Sequence, residues 1–476
     1  MKDFLAAHLD RVTSFRAAGA TERATFLRRI GEHIEMLGEE LIQVCHEESK
    51  LTVDRLRGER ARTINQLGMF ADLVEEGSWI EARIDTAQPD RKPIPKPDLR
   101  RMLIGLGPVA VFGASNFPLA FSVAGGDTAS AFAAGCPVVV KGHPAHPRTS
   151  VLVGDAIARA VADTGMPKAI FHLATDNSIE TGTNLVTHPA IRAVGFTGST
   201  QAGRSLFNLA ASRPDPIPVF AEMSSLNPVL IMPGALREQR AGIVKGLAGS
   251  VTLGVGQFCT KPGVVLGLGG PDFEEFSSEL GEALAKVEAA PMLYRGLEER
   301  LADSLRKAQA YVRVSQAAHL LRATAKEFRE NPVLQEEIFG PATLLVECTD
   351  EAELLQTIES LPGQLTATVH LTSDEEESSR GFLEAFTEKA GRIILNGYPT
   401  GVEVCPSMQH GGPYPATTDS RFTSVGTAAI QRFARPVCFQ NFAERLLPLE
   451  LQNVNKLQIW RQINGRFTKE DVGRSG

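Results

Sequence analysis

The spacing of hydrophobic residues divides the chain into a helical N-terminal part and a longer part of mixed character. From Thr21 onward, apolar side chains recur at intervals of three and four, which predicts an amphipathic helix behind a threonine cap. The chain up to about residue 80 is therefore predicted to be helical. The apolar positions that carry this prediction are Phe26, Ile30, Ile34, Leu37, Leu41 and Cys45.

A segment rich in proline and charge follows, from Asp85 to Arg101. Proline removes a backbone donor and interrupts a helix, so this segment is predicted to be an exposed arm or linker. An arm that joins subunits is the other interpretation, because an edge strand tolerates proline.

Beyond the arm, short apolar runs alternate with longer helical stretches such as Thr149–Asp163 and Gln201–Ala211. This alternation is typical of βαβ units, so we expect an α/β fold with a parallel sheet covered by helices on both faces. A second α/β segment begins after about residue 242 and extends to about residue 435. The predicted strands of the first segment are Val109–Phe112, Val138–Val140, Ile170–Leu173, Ala193–Phe196, Val219–Ala221 and Val229–Met232.

Composition and charge exclude several classes of protein. A chain of 476 residues with 43% hydrophobic and 22% charged residues is typical of a soluble globular protein with two or three domains. The net charge of −7, with dispersed basic residues, gives no electrostatic footprint for nucleic acid. The charge-free stretch Met102–Gly126 is interrupted by glycine and proline, so no membrane helix is expected there. The N-terminus lacks the features of a secretory signal, and a cytoplasmic location is the expectation.

Cysteine and histidine spacing predicts no metal site. The six cysteines lie far apart without a C-x-x-C pair, which indicates neither a zinc ribbon nor a disulfide framework. His143 and His146 are interleaved with prolines, which keep them from sharing one helical face.

Several polar residues follow predicted strands, where open α/β sheets bind ligands. Lys141 could hold a ribose hydroxyl or phosphate there, or could be a solvated strand end. Glu222 ends another strand and Glu337 precedes a glycine-proline turn; a buried carboxyl group has a raised pKa and can act as a general base, although ordinary strand-end glutamates are common. Asn116 offers an amide that can hold an oxyanion or cap a turn.

The run "GFTGSTQAGRS" places Gly198 after a strand and Gly203 at the start of a helix, where free backbone N–H groups can meet a phosphate. A P-loop would carry lysine where Arg204 stands, and the G-x-G-x-x-G fingerprint is absent. A tight turn without a ligand is the alternative.

Cys259 lies in "GVGQFCTKPG", where glycines let the backbone approach a substrate closely. A free thiol is mostly protonated at neutral pH, so a nucleophilic cysteine needs help from its surroundings. Lys261, two residues further on, is one candidate for biasing the thiol towards the thiolate.

Taken together and in this order, the motifs resemble those of the aldehyde dehydrogenase superfamily over nearly the whole chain. The resemblance implies that Cys259 attacks an aldehyde, that Asn116 and the Cys259 backbone N–H hold the oxyanion, and that Glu222 activates the water that hydrolyses a thioester. It further implies binding of NADP or NAD by Lys141, Gly198, Ser199, Gly203, Glu337 and Phe339. The motifs are "ASNFP", "VVVK", "GFTGSTQAG", "AEMSSLNP", "GQFCTKPG" and "EEIFGP".

Within the superfamily, the stretches "NFPLAFSVAGGDTASAFAAGCPVVVKGHPAHP" and "HGGPYPATTDSRFTSVGTAAIQRFARPVCFQN" resemble those of α-ketoglutaric semialdehyde (2,5-dioxopentanoate) dehydrogenases. This similarity implies oxidation of 2,5-dioxopentanoate to 2-oxoglutarate. NADP-dependent long-chain or broad-range aldehyde dehydrogenases look similar here and give the alternative substrate class.

The resemblance also implies a division into three parts. Residues 1–85 and 105–242 would form a Rossmann-type NAD(P)-binding domain, and residues 243–435 an α/β catalytic domain. Residues 86–104 and 436–476 would form a small oligomerisation element of a homodimer or homotetramer.

The sequence departs from the family pattern near both ends of the expected cofactor. Ser224 stands where many relatives carry glycine, and its side chain could narrow the channel beside Glu222. Pro144 replaces a glutamate that binds the adenosine ribose in NAD-preferring members, which removes a repulsion against a 2′-phosphate. Ile179 stands where an NADP-specific relative carries arginine, so the lean towards NADP is slight.

Overall fold

A computed structural model describes residue 15, residues 18–176, 178–311 and 320–473, and the backbone of residues 313–314. Residues 1–14 lie outside the described residues, and so does the expectation that the N-terminus carries no secretory signal. The helices are α1 (Ala20–Met36), α2 (Gly38–Ser49), α3 (Val53–Glu76), α4 (Gly126–Ala133), α5 (Pro147–Asp163), α6 (Ile179–Thr187), α7 (Thr200–Ala211), α8 (Pro233–Thr252), α9 (Pro271–Ala285), α10 (Arg295–Gln309), α11 (Ala325–Glu330), α12 (Glu351–Ser360) and α13 (Arg380–Thr387).

Within the described residues, the strands form three sheets. They are β1 (Arg83–Asp85), β2 (Leu99–Gly105), β3 (Val109–Phe112), β4 (Val138–Lys141), β5 (Phe171–Ala174), β6 (Ala193–Thr197), β7 (Val219–Glu222), β8 (Val229–Ile231), β9 (Val264–Leu268), β10 (Arg313–Val314), β11 (Leu320–Thr324), β12 (Thr343–Cys348), β13 (Gln364–His370), β14 (Ala390–Leu395), β15 (Ala434–Gln440), β16 (Arg461–Ile463) and β17 (Arg466–Thr468).

The N-terminal amphipathic pattern is divided between two helices, α1 and α2. Gly38 adopts a left-handed φ of 56° at the break, which ends one helix and begins the next. The cap is also different from the prediction, because Gly19 precedes the first turn and its N–H donates to Glu22. Thr21 lies within the helix.

The first sheet is fully parallel, with strand order β5-β4-β3-β6-β7. Alternate residues of its central strand face opposite sides. Val109 and Val111 pack in one apolar cluster with residues of α1, α3, α4 and α5, whereas Ala110 packs in another with residues of α6 and α7. Both faces are therefore buried, and the predicted α/β arrangement is confirmed.

The second sheet has seven strands in the order β10-β11-β12-β9-β8-β13-β14, and only β10 pairs antiparallel. Strand β8 belongs here, although the predicted boundary near residue 242 leaves it with the cofactor domain. Its backbone pairs with β9 and β13. The domain boundaries themselves stay predictions.

The third sheet joins the arm to the tail, with strand order β15-β2-β1-β16-β17. Strand β2 of the arm pairs antiparallel with β15, from Gly105 opposite Ala434 to Leu99 opposite Gln440. The arm thus pairs with a strand of its own chain.

None of the helices in the described part of the chain combines the length and the apolar character that a bilayer span requires.

Candidate active site

The predicted polar residues lie at one edge of the first sheet. Parallel strands end at the same edge, and β3, β4, β6 and β7 end side by side with Phe112, Lys141, Thr197 and Glu222. This edge therefore carries the general-base candidate Glu222 and the cofactor candidate Lys141.

The segment that carries Cys259 has an unusual backbone. Gly254, Val255 and Gly256 all have positive φ, at 56°, 59° and 65°. A β-branched residue rarely adopts this conformation, so the surrounding structure must hold it there. A side chain at Gly256 would collide with the Gly340 carbonyl group, which shows how closely this segment packs against the irregular segment after Glu337.

Hydrogen bonds on two sides hold the same segment. The Asn116 amide nitrogen donates to the Gln257 carbonyl at 3.0 Å. The Asn227 amide donates to the carbonyl oxygens of Cys259 and Lys261 at 2.9 and 3.0 Å. These hydrogen bonds hold the backbone of the segment and thereby fix the position of the Cys259 sulfur.

Cys259, His410 and Glu222 converge in space from distant parts of the sequence. The Nε2 atom of His410 lies 3.5 Å from the Cys259 sulfur and 2.9 Å from a Glu222 carboxylate oxygen. The Ser424 hydroxyl donates to the other oxygen of Glu222 at 2.5 Å. Sequence reasoning missed both His410 and Ser424, since neither stands in a local pattern that marks a reactive group.

Cys259, His410 and Glu222 each offer one atom that could bind a metal ion, and these three atoms lie within 4.8 Å of one another. The expectation that the protein holds no metal stays a prediction.

The charge state of Glu222 differs from the one expected. Burial acts to raise its pKa, but the His410 ring, its hydrogen bond and that of Ser424 outweigh burial and hold the pKa below its usual value. The prediction of a raised pKa was therefore wrong for this carboxyl group, which is ionised at neutral pH.

The thiol has the opposite shift. Burial and the neighbouring Glu222 carboxylate raise the pKa of Cys259 well above its usual value, and the Arg62 guanidinium partly opposes them. The resting side chain is thus a thiol that must lose its proton during reaction.

Lys261 does not take part in activating the thiol. Its ammonium group is buried and donates to the Ala342 carbonyl at 2.7 Å. The charge of Lys261 acts to lower the pKa of Glu337. The positive charge that acts to lower the pKa of Cys259 belongs to Arg62. The turn after Cys259 directs the lysine away from the sulfur, so the sequence-based expectation for Lys261 was wrong.

Glu337 shows the shift expected of a buried carboxyl group. Burial raises its pKa to about 7, and the Lys261 ammonium and the Ser224 hydroxyl act in the opposite direction. Ser224 therefore has a specific partner, which a glycine at that position would lack.

Ser199 and Glu337 line one cavity of about 490 Å³, together with Ser224. Ser199 caps helix α7 through its side chain, and the first-turn N–H groups of Thr200 and Gln201 have no intrahelical acceptor. The cavity therefore combines a helix N-terminus, suited to phosphate, with a carboxylate, suited to ribose hydroxyl groups.

The glycines near this helix act differently from the prediction. The Gly198 N–H donates to the Glu222 carbonyl and the Gly203 N–H to the Ser199 carbonyl, so neither is free for phosphate. A Cβ at Gly203 would lie 2.7 Å from the Met223 sulfur, and one at Gly198 would lie 2.7 Å from the Phe196 ring. Close packing requires both glycines.

Two further cofactor candidates lie outside this cavity. Lys141 is partly buried at the end of β4, where burial lowers its pKa against the attraction of Asp176. Phe339 packs against an apolar cluster that includes Ile42 and Met292. Their assignments to the cofactor stay predictions.

These features define the protein class. A model of the aldehyde dehydrogenase family matches residues 3–295, and the chain belongs to the aldehyde dehydrogenase family.

Individual relatives are similar over almost the whole chain. Alpha-ketoglutaric semialdehyde dehydrogenase 2 of Azospirillum brasilense is 49% identical over 470 residues, which cover 96% of this chain and 90% of that protein. Alpha-ketoglutaric semialdehyde dehydrogenase of Acinetobacter baylyi is 47% identical over 94% of this chain and 88% of its own length. The crystal structure of lactaldehyde dehydrogenase from Escherichia coli matches with a TM-score of 0.77 at 21% identity, over 92% of this chain and 90% of that one, and supports the fold alone.

Proposed function

We propose that the protein oxidises 2,5-dioxopentanoate to 2-oxoglutarate through a covalent bond to Cys259. The observation that carries this proposal is the placement of the Cys259 sulfur 3.5 Å from His410, which itself contacts the ionised Glu222. A thiol beside a histidine-carboxylate pair has the groups that nucleophilic catalysis needs.

The first step is attack of the sulfur on the aldehyde carbon. The thiol proton passes to the ionised Glu222 carboxylate, which hydrogen-bonds the Cys259 side chain, as the S–C bond forms, because an unassisted thiol with a raised pKa is a weak nucleophile. Glu222 releases this proton to solvent before hydrolysis begins. The Glu222 carboxylate has no hydrogen, so the short contact requires that Nε2 of His410 carries one.

The oxyanion that forms needs hydrogen-bond donors. The Asn116 amide carries a second hydrogen besides the one that it donates to Gln257, and it approaches the Cys259 segment directly. Within the described residues, the Cys259 N–H has no protein acceptor. Donors held in place before the reaction stabilise the developing charge without reorganisation.

The second half of the reaction is hydrolysis of the thioester on Cys259. Glu222 is ionised and its carboxylate is fixed by His410 and Ser424, so it can accept a proton from an attacking water. The proton accepted by Glu222 then returns to the Cys259 sulfur as the C–S bond breaks, which restores the resting thiol.

NAD(P), when bound, supplies the acceptor for the hydride that leaves the aldehyde carbon. The cavity beside Ser199 and Glu337 fits such a group, because a helix N-terminus and a carboxylate face the same space. Lys141, at the end of β4 in the same sheet, would hold the adenosine end. The absence of a glutamate at Pro144 supports a slight preference for NADP, while Ile179, which is 89% exposed, offers no charge to grip a phosphate.

The substrate assignment is supported by the two relatives that are almost half identical, both alpha-ketoglutaric semialdehyde dehydrogenases. We further propose a homodimer or homotetramer in the cytoplasm. Exposed apolar side chains on the third sheet and the tail, including Phe467 and Trp460, support association of subunits.

A panel of aldehydes tests the proposal. Purified protein is mixed with NADP or NAD and with 2,5-dioxopentanoate, succinate semialdehyde or a long fatty aldehyde, and reduced nicotinamide is followed by absorbance. We expect the highest kcat/KM for 2,5-dioxopentanoate and no turnover by Cys259→Ala. A higher kcat/KM for the fatty aldehyde would replace the proposal with the long-chain alternative.

A further inference from the structure

We propose that Arg62 is a carboxylate-binding residue of the substrate pocket and selects aldehydes that carry a carboxylate. This inference rests on the proposed function, since it names the side chain that recognises the charged part of the substrate. Neither the sequence motifs nor the comparisons assign a role to Arg62.

The guanidinium of Arg62 is held in the protein without a partner. Its Nε and Nη2 atoms are buried and make no hydrogen bond, and among the described residues no carboxylate lies within ion-pair distance of it. Leaving a buried donor unpaired is unfavourable, and leaving a buried charge unpaired more so. A group that binds there during the reaction would remove this cost.

Aromatic rings set the position of Arg62. Its guanidinium carbon lies 5.9 Å from the ring centre of Phe117 and 5.5 Å from that of Phe121. The Phe117 ring packs edge-on against Phe258 at 5.3 Å. Because Phe258 immediately precedes Cys259, this stack places the cation next to the nucleophile.

The charges around Arg62 support the same location. Burial lowers its pKa, and the groups that act against burial are Glu59, Cys259, Glu222 and Glu403. Two of these four are the reactive groups of the site. An arginine stays charged even with a lowered pKa.

The two glutamates have other partners. One oxygen of Glu59 accepts the N–H groups of Leu119 and Ala120 at 2.8 and 3.0 Å, and Glu403 accepts from the Val404 N–H. Neither forms an ion pair with Arg62 in the described structure. The neighbouring carboxylates thus attract the Arg62 charge through space, but none of those described forms a direct ion pair with it.

Arg55 provides the contrast on the same helix. It lies over Phe117 and Phe258 as well, at 5.0 and 4.6 Å, but it donates to the Asn116 carbonyl at 2.7 Å. Arg55 therefore positions the Asn116 backbone. Arg62, two turns along helix α3, has no such bond and is available to a ligand.

A carboxylate is the ligand chemistry that fits. The planar guanidinium presents parallel N–H donors that match the two oxygens of a carboxylate, and apolar rings on one side exclude water from the pair. A substrate with an aldehyde at one end and a carboxylate at the other would be held at both ends, which orients the aldehyde carbon towards the sulfur.

The test compares acidic and neutral aldehydes of equal length. We expect wild-type protein to prefer succinate semialdehyde to butanal, and 2,5-dioxopentanoate to pentanal, in kcat/KM. In Arg62→Gln this preference should fall by about 30-fold or more, the loss typical of truncating one partner of a buried charge pair. The kcat/KM for the neutral aldehydes should change little.

Two variants complete the experiment. Arg57→Gln on the same helix removes an exposed arginine that pairs with Glu39 and Asp54, and it should leave the preference unchanged. Arg62→Lys keeps the charge but loses the two-pronged geometry, so its preference should lie between wild type and Arg62→Gln. If Arg62→Gln fails to fold, Arg62→Lys still tests the role of Arg62 in the preference for acidic aldehydes.

Each outcome decides between the two proposals. If wild type shows no preference for acidic aldehydes, both the substrate proposal and the role of Arg62 are wrong. If wild type prefers them and Arg62→Gln or Arg62→Lys keeps the full preference, only the role of Arg62 is wrong. An equal loss for acidic and neutral aldehydes would show that Arg62 is structural and would overturn the carboxylate site.

Discussion

The Nε2 atom of His410 lies 2.9 Å from Oε1 of Glu222, and both side chains are buried. This contact decides the ionisation of the proposed base. A carboxyl group buried alone would be protonated near neutral pH, whereas the histidine N–H stabilises the ionised form. The same nitrogen faces the Cys259 sulfur, so one ring affects both halves of the reaction.

Replacing His410 should move the acidic limb of the pH profile. The depressed pKa of Glu222 means that activity is present above that pKa and is lost as pH falls through it. In His410→Gln, burial prevails and the pKa rises, so we expect the acidic limb of kcat to move to higher pH and kcat to fall by roughly 10²-fold. Ser424→Ala should shift the limb in the same direction by less. An unmoved acidic limb in His410→Gln would remove His410 from the mechanism.

Gly256→Ala should destabilise the catalytic segment. The new side chain meets the Gly340 carbonyl group, and the residue has a φ of 65°, so we expect a loss of about 3 kcal/mol in unfolding free energy. Aldehyde oxidation should fall as well, because the clash displaces Cys259. Denaturant unfolding measures the first effect and steady-state kinetics the second.

Gly249→Ala is the matched control for this change. Gly249 lies in helix α8, where an added Cβ meets nothing within 4 Å. Alanine in a helix interior should be neutral or stabilising by roughly 0.5–1 kcal/mol. Equal unfolding free energies for the two variants would contradict the proposed packing of the segment.

Cofactor affinity should depend on pH through Glu337. Burial raises its pKa to about 7, and an ionised carboxylate accepts ribose hydroxyl groups better than a protonated one. Affinity for NAD(P) should therefore be lost as pH falls through that value and should strengthen above it. Calorimetric titration across this range measures the effect without turnover.

Variants at neighbouring glutamates isolate the source of this dependence. Glu337→Gln should flatten the pH profile of the dissociation constant, while Glu336→Gln, which removes a carboxylate from the same cavity, should preserve it. A profile of unchanged shape in Glu337→Gln would mean that another group controls binding.

The sequence predicts the parallel sheet and the strand-end residues because both depend on local patterns. Alternating apolar runs placed Lys141 and Glu222 at the ends of two strands of a parallel sheet, as found. Which sheet receives Val229–Ile231 depends on contacts between distant segments that no local pattern encodes. The break at Gly38 has a local cause, the left-handed glycine, but the hydrophobic spacing continues across it.

The site was only partly predictable for the same reason. His410 is 151 residues from Cys259, and Arg62 lies on a helix whose polar positions look alike in sequence. The error over Lys261 has a similar origin, since its direction depends on the turn that follows Cys259. The lowered pKa of Glu222 required knowledge of partners from the C-terminal third of the chain.

The central claim is that Cys259 carries an acyl group which Glu222 helps to hydrolyse. Removing the Glu222 charge lowers the pKa of the neighbouring thiol. Without the carboxylate, His410 no longer has to carry its hydrogen on Nε2, so this nitrogen, 3.5 Å from the sulfur, can accept the thiol proton. Acylation should therefore continue in Glu222→Gln while hydrolysis slows, giving a burst of reduced nicotinamide followed by slow turnover.

Mass spectrometry of Glu222→Gln, stopped after the burst with 2,5-dioxopentanoate and NAD(P), tests this claim most directly. The account predicts an acyl adduct on the peptide that contains Cys259, present in amounts that match the burst. An unmodified Cys259 in a variant that still forms product at the wild-type rate would contradict it.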